Sequence, residues 1–293
     1  NEPGSDASKN LRKAIATILS VYRDVSIDSY YGDAAAVINY PISNTSWAAP
    51  QKSDADYQVA YSVDVEGNPI YTDEMTDDEK FDAALQASLG YFEAAGYTVE
   101  DGKLTAAPEG AKLTYEMTIG ASGSGDHPSF AILTDAKQAL EKIGFTLEIN
   151  DVTDANIMWD KLNAGTAEMW AAAWQATVDP DMYQVYHKNS SATSVYAWGY
   201  REIKESQSTY PEETSIINRL SDLIDDARAI DDQAQRTSIY KEAMGLVLDL
   251  AVELPVYQRK NLYAFNSNTV KGFATSVNPY TSPLEKVWEL ELI

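Results

Sequence analysis

The chain has 293 residues, of which 45 are Asp or Glu and 22 are Lys or Arg, so its formal net charge is −23 at pH 7. This excess of acidic residues argues against a broad nucleic-acid surface and against binding to anionic membranes, because both need clustered basic side chains. The 44% of hydrophobic residues argues against general disorder, and the absence of cysteine excludes disulfides, thiol nucleophiles and thiolate metal sites. The two histidines, His127 and His187, are far apart in sequence. We therefore predict no metal site and no cofactor.

The first 110 residues predict two helices separated by irregular structure. Apolar residues recur at helical spacing over 10–22 and again over 76–95. The second helix has the capping-box spacing of Thr76 and Glu79 at its start and Gly96 at its end. Between the helices, residues 30–66 show no sustained period, and we expect short strands only at 58–63.

Residues 111–174 predict an α/β unit in which strands and helices alternate along the chain. The predicted order is strand 113–119, glycine-rich loop 120–128, helix 129–143, strand 145–149, helix 154–164 and strand 167–174. The first two strands should be parallel with a right-handed crossover, because a helix connects them.

The last third predicts a helical pair followed by short strands. An aromatic, turn-rich segment over 177–210 precedes two helices with apolar faces, near 216–227 and 232–251. Strand candidates follow at 252–259, 261–265 and 287–293, with a short turn at 270–273.

Three groups of residues suggest chemistry, and each also has an ordinary structural explanation. Gly120–Gly125 has the spacing G-x-x-G-x-G between a strand and a helix, which suits an anion at a helix N-terminus but equally a flexible crossover. Asp179 and Asp181 offer two nearby carboxylates, or a turn followed by a helix cap. His187 can act as a base or lie at the surface as a capping residue.

A concentration of aromatic residues is the most informative feature. Large flat side chains near the carboxyl end of a strand can wall a pocket for an organic ligand, although ordinary core packing also explains them. The residues are Trp170, Trp174, Tyr183, Tyr186, Tyr196, Trp198 and Tyr200.

The aromatic segment also carries a family resemblance. Residues 173–186 (Ala-Trp-Gln-Ala-Thr-Val-Asp-Pro-Asp-Met-Tyr-Gln-Val-Tyr) resemble the G-W-x-A-D-x-x-D-P segment of family 5 extracellular solute-binding proteins. That family includes the oligopeptide- and dipeptide-binding receptors of ABC importers. Further similar segments, in the family's order, are 11–15, 159–165, 227–240, 253–265 and 270–273.

The resemblance implies a fold and a domain organisation. The fold is α/β, a periplasmic-binding-protein-like (type II) C-terminal lobe with a central mixed sheet flanked by helices. Residues 1–293 are then the second lobe of a two-lobe protein, with a helical and irregular region over 1–110 and an α/β core over 111–286. The strand over 287–293 is expected to belong to the hinge or to the first lobe.

The resemblance also implies a function, which is binding and not catalysis. The two lobes close over a solute, most often an oligopeptide, and deliver it to a membrane permease; the partners are therefore the solute, an N-terminal lobe and the permease. Such a protein is extracellular, held at the cell surface by a lipid anchor, or periplasmic. The expected ligand-binding residues are Trp174, Gln175, Thr177, Asp179, Tyr183, Tyr186 and Trp198.

Two points qualify that function. The family's aspartate that pairs with a peptide's α-amino group has no counterpart here, since Thr177 or a gap falls at its place. The rival hypothesis is a carbohydrate-active hydrolase or carbohydrate-binding module that uses the aromatic wall and the pair Asp179 and Asp181, although glycosidase carboxylates usually come from different strands.

Overall fold

A computed structural model describes residues 5–175, 177–205, 209–273, 284 and 286–293, and the side chains of residues 196, 201, 202 and 205 lie outside the description. The N-terminal elements are α1 Asp6–Val21, α2 Arg23–Tyr31, β1 Ala35–Val37, α3 Asp77–Ala94, β2 Thr98–Glu100 and β3 Lys103–Ala106. The central elements are β4 Thr114–Ile119, α4 Pro128–Lys142, β5 Thr146–Asp151, α5 Ala155–Asn163 and β6 Met169–Ala171. The C-terminal elements are α6 Tyr183–Tyr186, α7 Thr193–Ala197, α8 Tyr200–Glu205, α9 Pro211–Ala229, α10 Gln233–Leu250, β7 Tyr257–Arg259, β8 Val270–Lys271 and β9 Glu291–Leu292.

The central sheet confirms the predicted βαβ unit. Its three described strands are parallel in the order β5-β4-β6, and Ile119 at the end of β4 aligns with Asp151 on one side and with Ala171 on the other. Gly144, at φ +83°, ends the α4 region as predicted, and α5 follows β5. The described central sheet is wholly parallel and not mixed, because the antiparallel strands pair with one another in separate two-stranded sheets.

The third strand is shorter than the sequence predicts. β6 covers Met169–Ala171 instead of 167–174. Its neighbour β4 ends at Ile119, and Gly120 then leads into the glycine-rich loop, so residues 172–174 have no strand beside them. The chain therefore leaves the sheet at Ala172, and residues 172–175 are exposed.

Among the described residues, the first of two large hydrophobic cores lies between the sheet and helices α1, α3 and α4. Phe92, Leu140, Phe145 and Leu147 are fully buried there. The predicted capping box at the start of α3 is present, with Thr76 Oγ1 accepting from the Glu79 amide and the Glu79 carboxylate accepting from the Thr76 amide. A long helix is therefore correctly bounded by local signals.

The second core is built by the pair α9 and α10. Leu220, Ile224, Tyr240 and Val247 are completely buried between these helices and the short helices α6 to α8. The predicted apolar faces of both long helices are confirmed.

Several predictions for the N-terminal region were wrong. The helix α2 and the hairpin of β2 and β3 were not expected, and residues 58–62 form no strand; a single bridge joins Val63 to Pro69. Tyr61 has φ +56°, a left-handed conformation that breaks an extended strand. The buried face of α2 cannot be recognised from apolar spacing, because a charged residue, Arg23, lies on that face.

The C-terminal strands pair locally. β7 is antiparallel to β1, with Val37 opposite Tyr257, whereas the predicted strand over 261–265 is absent from these described residues. Of the predicted strand over 287–293, Val287–Glu289 form a short 3-10 turn, and only Glu291–Leu292 pair with β8. This ribbon is separate from the central sheet.

Candidate functional site

The candidate site is the stretch of chain that leaves β6, which we call the aromatic segment (residues 172–186). It starts at the carboxyl edge of the parallel sheet, where ligands of α/β proteins bind. Gln175 and Thr177 are exposed, and Trp174 is 46% exposed although its side chain is large and apolar. These three predicted site residues therefore lie just beyond the end of β6 and are accessible to solvent.

Asp179 is held by an arginine from α10. The Arg236 guanidinium donates from both terminal nitrogens to the two carboxylate oxygens, at 2.9 and 2.8 Å. It also donates to the Tyr240 hydroxyl at 3.2 Å and lies 5.2 Å from the centre of the Trp47 ring. The hydrogen bonds to Asp179 and Tyr240 raise the pKa of Arg236 above its ordinary value.

Asp181 and Tyr183 are held by a second arginine, from α9. Arg228 Nε lies 3.3 Å from the Asp181 carboxylate, and its guanidinium carbon lies 4.5 Å from the centre of the Tyr183 ring. The Asp181 carboxylate also accepts from the Tyr183 amide at 3.0 Å, which is a local turn contact; the N-cap position of α6 is Met182, so Asp181 is not the predicted helix cap. Each carboxylate of the Asp-Pro-Asp turn is thus paired with a guanidinium group.

Tyr186 and Trp198 lie deeper. Their rings stack at 5.4 Å, and Tyr186 is only 5% exposed. The Tyr186 hydroxyl donates to the Glu253 carboxylate at 2.8 Å. Burial raises the pKa of Glu253 to about 7, an effect that the Tyr186 hydrogen bond partly opposes. Burial likewise raises the pKa of Tyr186 well above its ordinary value.

The glycine-rich loop does not offer an open anion site. The Asp151 carboxylate, at the end of β5, accepts from the amides of Ala121 at 2.7 Å and Gly125 at 3.0 Å. Burial opposes ionisation of this carboxyl group, but the loop amides outweigh it and lower the pKa of Asp151. An internal carboxylate therefore occupies the place where a ligand phosphate would bind.

Neither histidine is placed as a general base. His127 caps α4, with Nδ1 accepting from the Ser129 amide at 3.1 Å. His187 is 2% exposed, stacks on Tyr183 at 4.3 Å and lies 3.3 Å from the Asp225 carboxylate. Burial lowers the pKa of both imidazoles.

The predicted site residues thus fall into an exposed and a buried group. Trp174, Gln175 and Thr177 form the exposed group, whereas Tyr186 packs inside the second core. Sequence reasoning missed Arg228, Arg236 and Glu253 as site residues, although all three lie in segments that resemble the family, 227–240 and 253–265. Across the described ranges, no group of three or more His, Asp or Glu side chains is positioned to hold a metal ion. None of the described helices is both long and apolar enough to span a bilayer.

Comparison with solved structures identifies the fold class as periplasmic-binding-protein-like. The oligopeptide-binding protein AppA from Bacillus subtilis, solved with a nonapeptide, matches 97% of this chain and 47% of its own, at 19% identity and a TM-score of 0.61. NikZ from Campylobacter jejuni, solved with Ni(L-His), matches 96% of this chain and 48% of its own, at 14% identity and a TM-score of 0.58. A nickel ABC transporter protein from Bacillus halodurans matches 92% of this chain and 46% of its own, at 20% identity and a TM-score of 0.56. The chain spans about half the length of these structures.

The family follows from the sequence. The model of bacterial extracellular solute-binding proteins, family 5 (Middle), matches residues 1–195, about two thirds of the chain. The protein belongs to this family, as its motifs predicted. A search of curated proteins finds no match.

Proposed function

We propose that the chain is the second lobe of a two-lobed solute-binding protein that supplies an ABC importer. The family membership carries this proposal, and the coverage of 47% of the AppA structure agrees with one lobe of two. The partners are then a first lobe and a membrane permease. The whole protein would lie outside the cytoplasmic membrane, either periplasmic or held by a lipid anchor.

The proposed binding surface is the exposed part of the aromatic segment. Trp174 supplies a flat apolar wall, Gln175 and Thr177 supply hydrogen-bonding groups, and all three lie beyond the carboxyl edge of the sheet. Tyr183 and Trp198 extend the aromatic surface inward, and Asp179 and Tyr186 support it. Closure of a first lobe over this surface would exclude water from the solute.

The proposed solute is a peptide, most often an oligopeptide. The AppA structure was solved with a nonapeptide, and peptides suit a site with hydrogen-bonding groups beside an aromatic wall. Carbohydrate hydrolysis by Asp179 and Asp181 is the weaker alternative. Each of these carboxylates is paired with a guanidinium group and both lie in one turn, whereas a glycosidase places its two carboxylates on either side of the bond that it cleaves.

The test is peptide binding by this chain and by a matched pair of variants. A mixture of random tetrapeptides is titrated in saturation-transfer NMR. One lobe makes only part of the contacts, so we expect weak binding at millimolar peptide concentration. Trp174→Ala should abolish the signal, whereas Trp288→Ala, which removes another exposed tryptophan, should retain it.

Two results would contradict the proposal. Submicromolar peptide affinity of the chain alone would show that it forms a complete site by itself. Equal signals from both variants would show that the surface around Trp174 does not contact the peptide.

A further inference from the structure

We propose that Arg228 and Arg236 are positioning residues that hold the aromatic segment in its binding conformation before the solute arrives. This rests on the proposed function, in which Trp174 contacts the solute. Helices α9 and α10 thereby act on a loop that neither helix contains.

The Arg236 contacts join three parts of the chain. Its guanidinium holds both oxygens of Asp179 in the segment, contacts Tyr240 on its own helix, and lies over Trp47 from the N-terminal region. The Arg236 side chain is 16% exposed, whereas Asp179 is 54% exposed. The arginine is thus fixed by the core, and the loop carboxylate is fixed by the arginine. A bidentate guanidinium–carboxylate pair restrains orientation as well as distance.

Arg228 repeats the arrangement two residues further along the segment. It approaches the Asp181 carboxylate at 3.3 Å, and its guanidinium lies over Tyr183 at 4.5 Å. Met182, between these two contacts, is 7% exposed and packs in the second core. The downstream end of the segment is therefore tied to both long helices.

The upstream end is tied as well. Ala171 pairs with Ile119 in the sheet and Asp179 is held by Arg236, so the stretch of chain between them, which we call the bridge, is anchored at both of its ends. Thr177 Oγ1 donates to the Asp179 carbonyl within this bridge. Fixing both ends removes conformations that the bridge would otherwise have to lose on binding, which is how pre-organisation improves affinity.

The experiment labels the six tryptophans with 5-fluorotryptophan and records fluorine NMR spectra of the whole chain. Trp174→Phe assigns the Trp174 resonance, and Trp47→Phe assigns the Trp47 resonance. In Arg236→Met we expect the Trp174 resonance to narrow and move towards that of the free amino acid. Trp47 should move too, because its ring contacts Arg236, while the other four resonances stay in place. The double variant Arg228→Met/Arg236→Met should displace Trp174 further than the single variant.

Matched controls separate positioning from general stability. Arg219→Met removes a guanidinium that joins the same two helices through Glu242, at 2.7 Å, but does not touch the segment; it should leave Trp174 unchanged. Asp179→Asn removes the ion pair from the exposed side and should reproduce the Trp174 change even where Arg236→Met folds poorly. The charge-reversed pair Asp179→Arg/Arg236→Asp should restore the wild-type Trp174 resonance at least in part.

The outcomes are decisive in both directions. An unchanged Trp174 resonance in both Arg236→Met and Asp179→Asn would overturn the proposal, and so would equal movement of all six resonances, which indicates general loosening. Because these spectra need no solute, they are independent of peptide binding. If tetrapeptides leave the wild-type Trp174 resonance unmoved, the peptide assignment fails while the positioning result stands.

Discussion

At the scale of single residues, Arg23 is a charged group that lies in the interior and is held by several hydrogen bonds. Arg23 is 2% exposed and donates to the carbonyls of Ser20 and Ile38, at 3.1 and 2.8 Å, and to the Asn39 side chain, at 2.9 Å. It also donates to the carbonyl of Pro255, at 2.5 Å. Burial lowers the pKa of Arg23 to about 10, so the guanidinium stays charged at neutral pH. Burial disfavours the charged form of Glu253 as well, but there it raises the carboxyl pKa to about 7, so this group changes its charge near neutral pH.

Glu253 should give the protein a distinctive pH dependence. Its pKa is raised from 4.5 to about 7 in the folded chain. Between these values the folded state keeps the proton and the unfolded state releases it, so this group makes the unfolding free energy fall as pH rises. Below pH 4.5 the carboxyl group is protonated in both the folded and the unfolded state. Above about pH 7 it is ionised in both states, and the full cost of burying its charge then lowers the unfolding free energy. We expect Glu253→Gln to gain stability over the wild type progressively between pH 5 and pH 7, measured by urea unfolding.

A second variant checks that the effect comes from this carboxyl group. Tyr186→Phe removes the hydroxyl that donates to Glu253, a bond that lowers the carboxyl pKa. In Tyr186→Phe, the fall of unfolding free energy with pH should therefore extend to higher pH than in the wild type. Parallel stability profiles for the wild type and Glu253→Gln would contradict the assignment.

At the scale of secondary-structure elements, local signals and tertiary contacts meet at the helix ends. Thr76 and Glu79 start α3 by a local capping box, which any solvent-exposed helix could use. Gly144 follows α4 for two reasons at once. Its φ of +83° favours glycine, and a Cβ atom there would lie 2.7 Å from the Leu104 carbonyl oxygen of β3.

The two reasons can be separated by a matched pair of glycine substitutions. Gly67 has nearly the same φ, +87°, but a Cβ there would meet nothing within 4 Å. Gly67→Ala should therefore cost only the backbone strain, about 1 kcal/mol of unfolding free energy. Gly144→Ala should cost at least about 1 kcal/mol more, because the β3 backbone must also shift. If both variants lose the same unfolding free energy in denaturant, the β3 backbone moves away from the added Cβ atom at no measurable cost.

At the scale of the whole molecule, two cores are joined by a few polar contacts, and the surface carries a large negative charge. Arg12 of α1, which packs in the first core, donates to the carbonyls of Leu250 at 2.8 Å and Ala251 at 3.2 Å, at the end of α10 in the second. Lys9 lies 3.6 Å from the Glu213 carboxylate of α9. These contacts orient the helical pair, and hence Arg228 and Arg236, relative to the sheet.

The net charge of −23 should make the stability depend on salt. Mutual repulsion of like charges destabilises a compact state, and salt screens it, with a Debye length of about 10 Å at 0.1 M and roughly 3 Å at 1 M. We expect the melting temperature at pH 7 to rise as NaCl increases from 20 to 300 mM. The rise should largely disappear near pH 4.3, the isoelectric point. A fall in melting temperature with salt at pH 7 would mean that the ion pairs outweigh the repulsion.

The sequence by itself determined the elements whose signals are local. Helical periodicity, the Thr76 cap, the alternation in β4 and the glycines after α3 and α4 gave the α/β class and the parallel pair β4 and β5. The order of motifs around Trp174 gave the family. The helices, the cap and the strand alternation were predictable because each depends on neighbours within a few residues, and the parallel pairing follows from the helix that connects the two strands.

Only the tertiary structure decided what the polar residues do. The length of β6 depends on where its neighbour ends, and the pairing of β1 with β7 joins residues more than two hundred positions apart. Asp151 fills the glycine-rich loop, and Arg228 and Arg236 hold the Asp-Pro-Asp turn, because folding brings distant charges to hydrogen-bonding distance. No spacing along the chain reveals such pairs, since Coulomb attraction and burial depend on separation in space.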